Sequence, residues 1–168
     1  MRIVLALLLA LVVALPALAA EPEPYVRTCS TSQFGDLGRG WRDHAVIAGP
    51  LAFVGVREGL APSRWPHKIL VVVDPNRVAT VTVVKRSRAH AALGYNEVRH
   101  NGTGVSLSDG SQSVRFHACR SVRSREPWNR GTQFGGYFLV AGARCVHVDV
   151  ASEGTVLRRR LSFGARCS

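Results

Sequence analysis

The amino-acid sequence predicts an all-β protein, an antiparallel β-sandwich or partly open barrel carrying two disulfides. Three observations lead there. Short β-branched runs recur at close intervals, each followed by a turn signal rich in Gly, Asn, Asp or Pro. After Ala20 no amphipathic helical stretch exceeds a turn or two. The four cysteines, Cys29, Cys119, Cys145 and Cys167, form an even set without a Cys-x-x-Cys, which suits structural disulfides rather than a redox pair or a zinc knuckle.

The first element is an address. Met1 to Ala20 has one arginine, an unbroken apolar run, Pro16 and the small-x-small sequence Ala17-Leu18-Ala19. This is the layout of a secretory signal peptide covering residues 1–19. A membrane anchor through an uncleaved N-terminal helix is the alternative, because Ile3 to Ala20 is close to the shortest bilayer span. Pro16 favours cleavage, as does Glu21-Pro22-Glu23-Pro24 in the place of a basic stop-transfer cluster. Cleavage leaves no transmembrane span. Residues 20–27 then read as a short acidic, proline-containing lead-in, and residues 28–168 as a single β domain.

Within that domain, Ala45 to Arg57 is apolar enough for a buried strand, which Gly49-Pro50 must split into two strands or a bulged edge strand. Lys68 to Val73 and Val78 to Lys85 flank Asp74-Pro75-Asn76-Arg77, which suits a type I turn and predicts a hairpin. Leu93 to Arg99, Thr103 to Leu107 and Val114 to Cys119 are separated by Asn101-Gly102 and Asp109-Gly110, so a three-stranded meander is expected. Gly136 to Ala141, Cys145 to Val150 and Thr155 to Phe163 complete the set, the last two joined by a turn at Ser152-Glu153-Gly154. In Cys145 to Val150 the valines 146, 148 and 150 alternate with Cys145, His147 and Asp149, which puts the valines in the core. Eight or nine strands are expected.

Composition narrows the function classes. The 168 residues hold 22 basic and 11 acidic side chains, a net charge of +11, with 46% hydrophobic and 20% charged residues. That is ordinary globular composition, which disfavours disorder, collagen and coiled coil, and the length leaves no room for a catalytic domain beside a cofactor domain. Losing Arg2 with the signal segment takes the charge to +10. No Gly-x-Ser-x-Gly elbow or Ser-x-x-Lys occurs, no cofactor is expected, and no dedicated nucleic-acid motif is present.

Two chemical sites remain as candidates. Arg120, Arg123, Arg125 and Arg130, with Trp128 among them, crowd one segment that overlaps Ser121 to Gly135, the longest stretch without strand character, and bidentate guanidinium contacts would suit an anionic envelope polymer or lipid headgroups. Arg158-Arg159-Arg160 forms a second run and Lys85, Arg86 and Arg88 a smaller group, but strand alternation splits the run between two faces. Twenty of the 22 basic residues are Arg, a bias that also fits a G+C-rich genome. The other candidate is a weak metal site, His147 and Asp149 on one strand face with His117 opposite. Four cysteines allow three connectivities. If Cys119 faces Cys145 across antiparallel strands, their numbers sum to 264, as do those of His117 and His147, and Cys29 is left for Cys167.

Ala48-Gly49-Pro50-Leu51-Ala52-Phe53, Phe116-His117-Ala118-Cys119, Phe134-Gly135-Gly136-Tyr137 and the closing Arg144-Cys145-Val146 and Phe163-Gly164-Ala165-Arg166-Cys167 together resemble small secreted proteins of actinomycetes with no assigned activity. The resemblance covers most of the chain after the signal segment. It implies export from a G+C-rich Gram-positive bacterium and brings no catalytic or binding residue with it. The resulting expectation is a secreted or cell-surface, non-catalytic binding or interaction module of the cell envelope. A secreted hydrolase and a metal-binding extracellular domain are the alternatives.

Overall fold

The structure, a computed structural model, describes residues 21–56, 66–96, 105–120 and 130–167. The expected signal segment, the Asn101-Gly102 turn, Arg123, Arg125 and Trp128 lie outside the described residues. Ten strands are present among the described residues: β1 (Tyr25–Arg27), β2 (Ala45–Ala48), β3 (Leu51–Val54), β4 (His67–Val73), β5 (Val78–Val83), β6 (Ala91–Gly94), β7 (Ser113–His117), β8 (Thr132–Val140), β9 (Arg144–Ser152) and β10 (Thr155–Phe163). They form two five-stranded sheets, one in the order β1, β7, β5, β9, β10 and the other in the order β2, β3, β4, β8, β6. All pairs are antiparallel except β1 with β7. The expected β-sandwich is therefore what the chain forms.

The two sheets are buried differently, and the sequence shows why. Val146, Val148 and Val150 point inward and are fully buried, as expected from their alternation, with Val81, Val83, Phe116, Leu161 and Phe163 beside them. Val71, Val73, Phe53, Phe134 and Phe138 meet them from the second sheet. β4 lacks such alternation because it is covered on both faces. Val72 points away from the core and lies with Ala52 beneath Trp41 in the 3-10 turn Trp41–His44. The outer face of the second sheet is also roofed where Gln133 donates to the Gly35 carbonyl.

Several local expectations are corrected. Lys68 to Val73 and Val78 to Lys85 do not form a hairpin: β4 pairs with β3 and β8, whereas β5 pairs with β7 and β9 in the opposite sheet. The turn closes through the Arg77 N–H on the Asp74 carbonyl, but Asn76 has a φ of 59°, which excludes type I and gives the type II form with Pro75 before it. The meander is absent as well. β6 belongs to the second sheet and β7 to the first, and in place of a strand ending at Leu107 there is a 3-10 turn at Leu107–Asp109, held by Ser106 and Asp109. By contrast Gly49-Pro50 does split its segment into β2 and β3. The β9–β10 hairpin turns on Glu153 and Gly154, both at positive φ, the type I′ geometry that continues the strand twist.

The disulfides join Cys29 to Cys119 and Cys145 to Cys167, not the pairing drawn from the sum of 264. The reason is β5. It lies between β7, which ends just before Cys119, and β9, which carries Cys145, so the two are never neighbours. With no free cysteine in the chain, both bridges point to an oxidising, extracytoplasmic setting. No helix among the described residues is long and apolar enough to cross a membrane.

Each edge of the sandwich is closed by an arginine that donates to backbone carbonyls of the facing side. Arg27 on β1 reaches the Tyr95 carbonyl at 2.7 Å, and Arg159 on β10 reaches the Ile47 carbonyl of β2 at 2.8 Å. Such charge-assisted bonds to backbone acceptors satisfy groups that an open sheet edge would leave unpaired.

Candidate functional site: a basic basin beside the last hairpin

The valines of β9 turn inward, so Cys145, His147 and Asp149 must turn outward. Register then decides their neighbours. On β10, Arg160 lies opposite His147 and Arg158 opposite Asp149. On the other side of β9 the chain leaves β5 through Val84, whose N–H donates to the His147 carbonyl at 3.0 Å, and enters the 3-10 turn Lys85–Ser87. Buried Ser87 accepts from the His147 N–H at 3.1 Å, which pins this turn onto β9 and brings Arg86 to the same place. The result is an open basin of about 560 Å³ lined by Arg86, His147, Arg158, Arg159 and Arg160.

Electrostatics inside the basin follow from these positions. Arg158 holds Asp149 in a two-pronged ion pair, Nε to Oδ1 at 2.7 Å and Nη2 to Oδ2 at 2.9 Å. That hydrogen bonding keeps the Asp149 carboxyl below the usual carboxylate range. His147 is held below the ordinary imidazole value, first by partial burial and then by the charges of Arg86, Arg160 and Arg158. Arg159 is committed to the Ile47 and Arg158 carbonyls. Arg88, from the same sequence group as Arg86, turns away to pair with Glu21 at 2.6 Å. Chemically, the guanidinium groups gathered along the basin make it positive, an environment that suits anionic oxygens.

The expected sites fare differently. Arg120 and Arg130 are both exposed, but they sit where β7 ends and β8 begins, beside the Val78 end of β5, whereas the basin sits at its Val84 end. Six residues of strand, about 20 Å, separate the two. The strand β8 starts at Thr132, so the glycine pair Gly135-Gly136 is sheet and not loop. His117 and His147 are not brought together. His117 lies opposite Val78 and His147 beside Val84, at opposite ends of β5. Among the described residues no three His, Cys, Asp or Glu side chains are grouped to hold a metal ion. A second, smaller depression of about 260 Å³ near Pro50, Val150 and Leu157 offers one carboxylate, Glu153, already paired with Arg77.

Sequence reasoning found the Arg158 run and the Lys85 group but not their convergence. The available signal was the β9–β10 hairpin itself: its Glu-Gly turn fixes the register that puts Arg160 on His147. The chain matches no protein-family model, and no curated protein and no solved structure is similar to it.

Proposed function

We propose that this is an exported, non-catalytic binding module that holds anionic groups of the cell envelope in the Arg86, His147, Arg158 and Arg160 basin. The single observation behind this reading is convergence: guanidinium groups from two separate chain segments, the 85–87 turn and β10, line one depression whose neighbouring carboxylate is already neutralised. The paired disulfides and the signal-like first residues support export.

Tripolyphosphate is a suitable minimal probe. Titration calorimetry at about 0.1 M salt, where the Debye length is about 10 Å, is expected to show binding that weakens about tenfold or more in the Arg86→Ala/Arg160→Ala variant, since charge-assisted hydrogen bonds are lost. Arg120→Ala/Arg130→Ala removes the same charge at the far end of β5 and is expected to leave binding within about twofold, because exposed charges beyond a Debye length are screened. Equal losses in the two variants would overturn the site.

Binding should also depend on pH through His147. It faces Arg86 from the turn, Arg158 and Arg160 from β10, and Asp149 from its own strand, and its free-state value is depressed. An anion in the basin supplies the opposite charge and raises it, so protons are taken up on binding. Affinity for a probe of constant charge, such as sucrose octasulfate, is expected to rise as pH falls from about 7.5 to about 5, by at most the factor by which the bound anion raises the proton affinity of the imidazole, about tenfold. His147→Gln should be flat over that range, and an unchanged slope in that variant would remove His147 from the site.

A further inference from the structure

The basin is one end of a larger surface. The sheet formed by β4 and its neighbours is roofed by Trp41 and the Gln33 to Gly35 stretch, whereas on the outer face of the sheet that carries the basin Arg115, Ala151, Val156 and Arg158 are exposed and Thr80, Thr82 and Ser113 half-buried. Register gives the composition of that face row by row. Arg158, Asp149, Thr82 and Ser113 lie side by side across β10, β9, β5 and β7, and Val156, Ala151, Thr80 and Arg115 form the next row. The middle of the face is therefore a lane of short side chains, Ala151, Thr80, Thr82 and Ser113, with arginines standing on both sides. Arg115 leans over the lane, its Nε donating to Thr80 Oγ1 at 3.3 Å, and the Thr82 and Ser113 hydroxyls lie 2.9 Å apart within it.

We infer that a linear phosphate polymer lies across this face, seated in the basin at one end and held by Arg115 at the other. The inference rests on the basin's being an anion site. Three strand spacings, about 14 Å, separate Arg158 from the β7 row, and Arg115 is about 7 Å further along its strand. A single phosphate group cannot touch both, whereas a chain of phosphates can, with the lane hydroxyls donating to oxygens between. Charge complementarity favours this occupant: among the described residues of the five strands Asp149 is the one carboxylate, and Arg158 neutralises it. Phosphate is favoured over nucleic acid or a sugar polymer because no phenyl, phenol or indole ring of these strands faces outward. Phe116 and Phe163 belong to the core, and Tyr25, half-buried, packs against it. Bases and sugar rings are held by stacking on such rings.

The test compares tripolyphosphate with linear polyphosphate of about thirty units, using the intact domain. Arg115→Ala is expected to leave tripolyphosphate binding unchanged. It should weaken long-chain binding about three- to tenfold and lower the slope of log affinity against log salt by about one. Lys68→Ala removes the same charge from the opposite sheet and should change neither. If Arg115→Ala matches Lys68→Ala while tripolyphosphate still binds the basin, the lane is wrong and the basin stands. If neither probe binds, the basin fails too. Equally tight binding of single-stranded DNA of the same charge would overturn the choice of a phosphate polymer.

Discussion

Replacing Cys29 and Cys119 together by serine is expected to lower the free energy of unfolding by about 4.5 kcal/mol, against about 3.5 kcal/mol for Cys145 and Cys167, on the chain-entropy model. The order follows from loop length. The first bridge spans 90 residues of sequence and the second 22. The first also secures the weakest element. β1 has only three residues, is the one parallel strand, and sits at a sheet edge, with Cys29 directly behind it in the 3-10 turn Cys29–Thr31. Denaturant titration of the two double variants at equal temperature measures the difference. If both lose the same amount, restriction of the unfolded chain is not what the bridges supply. Hydrogen exchange should show the amides of β1 losing protection first when Cys29 and Cys119 are replaced.

Gly136→Ala is expected to cost about 3 kcal/mol, more than most single methyl additions. A Cβ there would fall inside contact distance of the Tyr95 ring. Tyr95 cannot yield easily. It is fully buried, packs edge-on against Phe116 and Phe138, and donates its hydroxyl to the Ile69 carbonyl at 2.8 Å. Burial pushes its phenol well above the ordinary tyrosine value, so it stays a donor. Moving the ring therefore adds the cost of a lost buried hydrogen bond to that of overpacking. Thermal unfolding reads the loss directly, and a fall of only a few tenths of a kcal/mol would show that the ring has room to shift.

Much of the fold was legible in the sequence, and the misread parts share one cause. Alternation exposed the core face of β9, Gly49-Pro50 marked the β2–β3 corner, and Glu153-Gly154 marked the last hairpin, all signals carried by adjacent residues. What a turn does next is not local. Asp74-Pro75 reverses the chain whether the strands pair or part into two sheets. A usable clue existed: Ile69 to Val73 is apolar without interruption, as a strand covered on both faces must be, whereas Val78 to Val83 alternates with threonine, as a strand with one wet face must. Two such strands belong in different sheets. The disulfide pairing failed for the same reason, since β5 inserts between β7 and β9 from a position earlier in the chain. Arg86 could be placed beside Arg160 only once the hydrogen bond from Val84 to His147 was known.

The path of the chain between the sheets has a kinetic meaning. Among the described strands only β2–β3 and β9–β10 join sequence neighbours within a sheet without a long excursion between them, since β3 must wait for β4 across residues 55–66. Ile69 must wait for Gly136 and Val81 for Val150, partners close to seventy residues away. Topologies dominated by such distant pairings fold in milliseconds to seconds. The topology also sets an expected order for closing the bridges. Cys145 and Cys167 flank the local β9–β10 hairpin and can be oxidised as soon as it forms, whereas Cys29 meets Cys119 only after β7 has been laid against β5 and β1 against β7. The short bridge is thus expected to close early in folding and the long one at its completion.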